Sequence, residues 1–550
     1  MAVQMIEGLR RRRSVVLVTA AVAGTALAVS GCGGSSSNNA EAGAAAGEVA
    51  SWVPAGSPLY LEASTDFDGP QWTQVDTLAK LFPAYPELRK MVDDALKSDD
   101  VDFETEIKPL LGEHAAIAGL ALPDTAALQG SLTNPTPDAA AKAAADVEFV
   151  GVVELADGKD DAVKALLVKS GATKDGTHAG ADVYTDSPDT VAAGSDGVLV
   201  VSDTKAQLFK ALDAHAAGGD KTLAGTSRFT DALAKLPADV FGQAYFDVGA
   251  LVQSAGQSQP QLDQLGLADY QNAVVAASVS AEPDGARVKG VVVGAPDAGA
   301  AEFSPTLDEK APADAIAYLG FSDLAGTITT ILDQARAAQS SDTTAQLDAL
   351  SGQLPALLGV SVDDLAALTS GEHAIVATSG SPTPGAALLL KVADGAKATA
   401  TLDALRVGVP RLVQTFSPST TLPAWKRVPL AGGVTGWQLP LSPEAGVVYG
   451  VDGDLAIIGT SVPAVTAVQR PVSPLSSSAD FTAATSGMPD AVTSVLWLNI
   501  GEAVEAADKL GVLSDLPAES VANLRPLKSV TAWTTGGETP TFEVFLKIAG

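Results

Sequence analysis

Hydrophobic and polar positions alternate along this chain in two distinct rhythms. Val147 to Leu155 (VEFVGVVEL) and Ala386 to Val392 (AALLLKV) are short, nearly unbroken apolar runs rich in branched residues, the signature of strands. Asp160 to Lys169 and Thr204 to His215 instead place apolar residues every three or four positions among good helix formers, as do Lys397 to Arg406 and Val462 to Gln469. Asp196-Gly197, Asp284-Gly285 and Asp452-Gly453 separate consecutive strand patterns, and Asp-Gly favours tight hairpins. Strict strand–helix alternation is absent. The pattern predicts an α+β fold of mainly antiparallel sheets with helices packed on one face.

The same succession of signals occurs twice. Pro54-Ala55 before Leu59-Tyr60-Leu61 matches Pro312-Ala313 before Ala317-Tyr318-Leu319. Gly112-Glu113-His114-Ala115 recurs as Gly371-Glu372-His373-Ala374, and Phe229-Thr230 with Pro237 recurs as Phe481-Thr482 with Pro489. Each half ends in a two-strand pattern. Collinear matches at a nearly constant offset indicate an internal duplication giving two tandem homologous domains, residues 52–294 and 311–550. Residues 122–146 have no counterpart and read as a surface insertion in the first domain. Residues 295–310, rich in Pro, Gly and acids, read as a linker.

Within the halves, a Pro-led turn enters an apolar run and is followed by Asp or Asn before a helical pattern. Asp247, Asp323 and Asn499 occupy that position. A side-chain oxygen there satisfies an orphan helix N–H, so these three are expected to be structural N-caps.

The N-terminus follows another logic. Arg10 to Arg13 form a basic segment, Ser14 to Val29 is apolar and small, and Val29-Ser30-Gly31-Cys32 follows. This is the order of an export signal, and the apolar stretch is short for a span of about 20 residues. The segment resembles the lipobox of bacterial lipoproteins. The resemblance implies a signal peptide over residues 1–31, cleavage between Gly31 and Cys32, and a diacylglycerol on the Cys32 thiol. Two acyl chains suffice for stable anchoring where one is marginal. Residues 32–51, opening with a run of Gly, Ser, Asn and Ala, read as the lipidated cysteine and a tether, whose segment Gly33 to Gly47 has an rms reach of roughly 20 Å. The expected location is the outer face of the cell membrane, lipid-anchored.

Composition narrows the partners. The 550 residues carry 34 Lys+Arg against 65 Asp+Glu, a net charge of −31. Phosphate binding needs clustered cations, so nucleic acid is excluded as a partner, and attachment to membrane rests on the lipid rather than on charge. One cysteine excludes a disulfide framework. The Ala- and Asp-rich, Lys-poor composition resembles that of a high-GC actinobacterium. The opening VPAGSPLYLEAS, the strand LLGEHAAIAGL and the two-half body resemble the bacterial proteins of domain of unknown function 3352, over about residues 52–550. That resemblance implies a fold and no activity.

Residues capable of chemistry are sparse. Glu113-His114 and Glu372-His373 recur, yet neighbours on a strand point to opposite faces, so each pair is expected not to converge. Four His without a zinc-binding spacing, and acidic clusters at 65–69 and 98–102 without an EF-hand order, give no metal site. No nucleophile elbow, P-loop or dinucleotide fingerprint is present, so neither catalytic residues nor a cofactor are assigned. Trp425-Lys426-Arg427 is an unusual basic–aromatic spot. The expected function is a non-enzymatic binding or scaffold lipoprotein with a lipid, peptide or envelope-protein site between the two repeats. A structural envelope protein without small ligand, and a surface hydrolase with an unmarked triad, stay open as alternatives.

Overall fold

The computed structural model describes residues 47–96, 102–122, 148–187, 190–255, 268–296, 301–322, 324, 326, 358–380, 384–417, 419–442 and 445–548. The signal and lipobox positions Gly31 and Cys32, the cap Asp323 and the insertion from residue 123 onward to 146 lie outside them.

Among the described residues twenty strands join into one sheet, and every pairing there is antiparallel. In the first half they are Leu59–Ser64 (β1), Leu111–Gly119 (β2), Phe149–Leu155 (β3), Thr173–His178 (β4), Ala181–Ser187 (β5), Thr190–Ser195 (β6), Val198–Ser202 (β7), Gly242–Asp247 (β8), Val274–Glu282 (β9) and Gly285–Val293 (β10). In the second they are Ala317–Ser322 (β11), Glu372–Thr378 (β12), Gly385–Lys391 (β13), Lys426–Pro429 (β14), Thr435–Pro440 (β15), Gly446–Asp452 (β16), Leu455–Gly459 (β17), Ser494–Asn499 (β18), Leu527–Thr534 (β19) and Thr541–Ile548 (β20). The first half runs β4-β5-β6-β7-β3-β2-β1-β8-β9-β10 across the sheet. The second runs β14-β15-β16-β17-β13-β12-β11-β18-β19-β20, the same order strand for strand. Antiparallel pairing of β10 with β20 closes the seam between them.

Helices are Gly47–Ala50 (α1), Pro70–Ala79 (α2), Tyr85–Leu96 (α3), Asp160–Lys169 (α4), Lys205–Ala217 (α5), Ser227–Leu233 (α6), Val248–Ala255 (α7), Val362–Leu368 (α8), Gly395–Phe416 (α9), Val462–Gln469 (α10), Ala479–Ala484 (α11), Ile500–Lys509 (α12) and Ala518–Leu524 (α13). They cover both faces of the sheet, which corrects the expectation of one. β3 shows why. Its even positions Val150 and Val152 pack in one core with Leu208 and Leu212 of α5 and with Phe229 of α6. Its odd positions Phe149 and Leu155 pack in a second core with Val163 and Leu167 of α4. In the second half Leu389 of β13 meets Val465 and Val468 of α10, while Leu390 meets Ala398 and Leu402 of α9. An unbroken apolar strand has no polar face to give to water, so it needs cover on both sides.

Local signals act as their chemistry dictates. Thr204 accepts from Gln207 N–H and starts α5, and Ser461 accepts from Ala464 N–H and starts α10. Asp247 Oδ1 accepts from Ala250 N–H at 2.9 Å and from Arg228 at 3.1 Å. Asn499 Oδ1 accepts from Glu502 N–H at 3.0 Å. Between β6 and β7, Asp196 and Gly197 both take positive φ (49° and 76°), the form a two-residue hairpin turn requires. Part of the expected linker is docked rather than free: Phe303 exchanges backbone hydrogen bonds with Val492, and Leu307 is buried.

The seam pairs Gly285–Val291 with Thr541–Lys547. Gly290 lies opposite Phe542, whose ring covers the glycine so closely that a Cβ there would sit 2.0 Å from it. An aromatic resting on a cross-strand glycine pins register. Gly290→Val is therefore expected to displace Phe542 and to destabilise the fold by about 1–3 kcal/mol, the usual cost of overpacking, read as a lower urea midpoint. An unchanged midpoint would show that the ring does not depend on this gap.

Candidate functional site

β1 places Tyr60 and Glu62 on one face by strict alternation, and both are buried. Across the β1·β2 ladder Ser64 stands opposite His114. His114 Nδ1 lies 3.0 Å from Glu62 Oε1, and the Tyr60 hydroxyl donates to Glu62 Oε2 at 2.5 Å. Glu154 of β3 accepts from the backbone N–H of His114 at 3.1 Å. Glu62, Ser64, His114, Phe241 and Gln243 line a cavity of about 20 Å³. That volume admits about one water molecule.

The electrostatics follow from this geometry. The hydrogen bond to Glu62 raises the His114 pKa above the usual imidazole value, against the opposing effect of burial; Glu62, Glu154 and Glu113 all add to the rise. Burial pushes the Tyr60 hydroxyl well above its ordinary value, reinforced by the Glu62 charge. Burial also raises Glu154. The result is a short chain, Tyr60 to Glu62 to His114, in which one buried carboxylate takes a donor on each oxygen.

Ser64, His114 and Glu62 are the residue types of an acyl-transfer triad on one face. The backbone around them is already committed. Ser64 N–H donates to Phe241 O, Thr65 N–H to Glu113 O, Asp66 N–H to Ser64 Oγ and Phe67 N–H to Thr65 O. Stabilising an oxyanion takes donors aimed at an open position, and these four N–H groups have partners. The arrangement neutralises charge inside the sheet: Glu62 is held between the Tyr60 hydroxyl and the His114 ring.

Glu113 and His114 diverge as strand geometry requires, and Glu113 is exposed. The partner that His114 does find, Glu62, comes from the neighbouring strand. The signal for it was the alternation of Tyr60 and Glu62. The recurrence of Gly-Glu-His-Ala is offset by one residue in space. Tyr60 and Tyr318 are both fully buried and occupy the same place in β1 and β11. Ser64 faces His114, whereas Ser322 faces Glu372. His114 therefore corresponds to Glu372, not to His373. β2 carries a register irregularity between Leu111 and Ala115, and a one-residue slip moves a side chain to the other face. His373 is fully buried beside Phe321, with Nε2 2.9 Å from Thr369 O. Glu372 accepts from Thr306 N–H (2.7 Å), Leu307 N–H (2.8 Å) and the Thr306 hydroxyl (2.5 Å), so it clamps the segment entering the second half.

Other singled-out residues serve packing. Trp497 is buried in the second-half core, and Trp533 joins it there. Trp425 packs edge-on against Tyr449, and Trp437 carries Arg406 at 4.0 Å and Arg427 at 5.1 Å from its ring. Trp52 stacks on His215 at 3.5 Å. Asp68 pairs with Lys108, and Asp102 accepts from Thr105. Among the described residues no three His, Cys, Asp or Glu side chains are grouped to hold a metal ion, and no helix is long and apolar enough to cross a membrane.

The second candidate region is the seam. Glu543 of β20 is buried between Arg287 and Lys289 of β10, and Arg287 also grips Glu282 at 2.5 Å and lies 4.4 Å over the Phe545 ring. Around the seam two helical arms meet. α2 packs on β9 and α12 on β19. Ala84 N–H, just before α3, donates to Asn523 Oδ1 of α13 at 3.0 Å.

A model described as a protein of unknown function, DUF3352, matches residues 14–548. The chain belongs to this family. No curated protein matches the DUF3352 chain. Among solved structures, crystal form IV of TP0453 is similar at 11% identity and a TM-score of 0.25, covering 45% of this chain and 81% of that one. Crystal form III of TP0453 gives 10% identity and 0.24, covering 45% and 80%. The DUF3352 chain has an antiparallel α+β fold.

Proposed function

We propose that this DUF3352 protein is a lipid-anchored extracytoplasmic lipoprotein that acts as a binding or scaffold protein, built by duplication of one ten-strand unit. The repeated strand order supports duplication. Its binding surface lies between the repeats, on the two helical arms where they meet across the seam. The observation that carries this reading is the contact of Ala84 with Asn523, which brings exposed apolar residues of both halves into one region. The strand ladder fills the seam itself, so the site is a surface over it rather than a cleft within it.

The anchor rests on Cys32 after a basic segment and a short apolar stretch. Cys32→Ser is expected to abolish lipidation and to leave a larger, unprocessed precursor, seen by mobility shift and by loss of labelled acyl chain from the membrane fraction. Unchanged processing and acylation would remove the lipoprotein reading. Binding is tested by native mass spectrometry of the mature protein: co-purifying lipid, peptide or protein is expected. A uniformly unliganded spectrum, together with no captured partner, would leave a purely structural role.

A further inference from the structure

We infer that the two arms form a bilayer-docking surface, so that the folded body lies on the lipid rather than standing off it. Of the eleven large apolar side chains that are exposed among the described residues, six belong to the arms: Leu81, Leu88 and Met91 from the first half, Leu510, Val512 and Leu516 from the second. Met91 is 62% exposed and Val512 64%. Exposed apolar residues scattered singly mean little, but their concentration around one inter-arm contact marks an interaction surface.

Charge selects the occupant. The chain as a whole is −31, yet Lys80 to Leu96 holds equal numbers of acidic and basic residues, and Lys509 to Lys528 holds three basic against two acidic. These apolar-bearing segments are near neutral on an acidic body, while α2 and α12 behind them add Asp76, Glu502, Glu505 and Asp508, so zwitterionic rather than anionic headgroups fit. Leu88 and Met91 lie on α3, and Leu510, Val512 and Leu516 on the connection between α12 and α13; exposed apolar side chains on such elements bury at the headgroup boundary. The choice of bilayer over another partner rests on the lipoprotein reading of Cys32. Gly47, the first described residue, follows Cys32 by a segment that can extend about 50 Å. It opens α1, which packs on β2 and β3. β2 is separated from β10 only by β1, β8 and β9, about 20 Å at the usual strand spacing. A tether of that reach lets Cys32 enter the bilayer on which the arms rest.

The test uses the mature chain, residues 32–550, carrying Cys32→Ser and so bearing no lipid, mixed with phosphatidylcholine vesicles. It is expected to float with the vesicles. The pairs Leu88→Glu with Met91→Glu, and Val512→Glu with Leu516→Glu, are each expected to lower the bound fraction at least tenfold while circular dichroism stays unchanged. Equal flotation of parent and variants, or none at all, would overturn the inference. So would a concentration-dependent dimer, seen by sedimentation without vesicles and abolished by the same variants, which would assign the surface to a second copy. Because this chain carries no lipid, failure here leaves the Cys32 reading standing, and failure of the acylation experiment leaves the flotation result standing.

Discussion

Arg287→Ala is expected to lower stability by about 3 kcal/mol, because it strips a buried carboxylate of its closest cation. Glu543 would keep only Lys289, at 3.4 Å, and Glu282 would lose its partner as well. Burial alone would lower the Arg287 pKa; the bonds to Glu282 and Glu543 outweigh it and hold the value up, so the charge stays on. The seam ladder joins the halves, so the loss should appear as an earlier separation of the halves: the urea transition of the variant should broaden or split. The control is the pair Arg287→Met with Glu543→Leu. Replacing both charges by apolar groups of similar size removes the desolvation cost together with the attraction, and is expected to fall within about 1 kcal/mol of the parent. If the single and double variants are equally destabilised, the ion pair is not what holds the seam. The placement also gives direction. A β10 edge paired with a second β10 would bring Arg287 and Lys289 against their own kind, whereas β20 offers Glu543. Like charges in register oppose pairing, so the ladder favours the partner it has.

The second large effect is at His114. Its pKa is raised above the ordinary value of about 6.5. A group raised in the folded state stabilises fully below its unfolded pKa, and the contribution disappears as pH climbs through the folded value. The protein should therefore lose stability between about pH 6.5 and the raised titration point, with Glu62, Glu154 and Glu113 the carboxylates that set it. His114→Ala leaves Glu62 with the Tyr60 hydroxyl alone, and at pH 6 is expected to cost about 2 kcal/mol. The same variant should flatten the pH dependence over that window. Thermal melts from pH 5.5 to 8.5 and the histidine NMR titration check both. A His114 that titrates at or below the ordinary value would contradict the Glu62 contact.

Much of the local structure was legible because short-range physics decides it. The Asp160–Lys169 and Val462–Gln469 helices have the periodicity and composition to form in place, and both occur with those bounds. The Asp-Gly turns and the caps at Asp247 and Asn499 are local bargains between a side chain and nearby N–H groups. What escaped is set at long range. The unbroken runs at β3 and β13 signalled strands but not the cover on both faces, which depends on where α4 and α9 return. The recurring Gly-Glu-His-Ala suggested equivalent histidines, and only the ladder shows His114 in the place of Glu372. Glu62, the residue that makes His114 part of a site, lies within the opening VPAGSPLYLEAS, where only its alternation with Tyr60 marks it and nothing points to His114. Nor did β10 and β20 advertise that they pair, since Lys289 and Glu543 are far apart in the chain and ordinary within their own strands.

The seam has a consequence for synthesis. β20 is the last described strand of the chain and one of the two at the middle of the sheet. The whole second half lies between β10 and β20 in the chain, so during synthesis β10 is complete long before its neighbour is made. Until then β10 is an open strand edge of the kind that recruits foreign strands. A chain stopped short of Thr541 would keep that edge bare for its lifetime, so β20 is what shields the midline of the sheet from foreign strands.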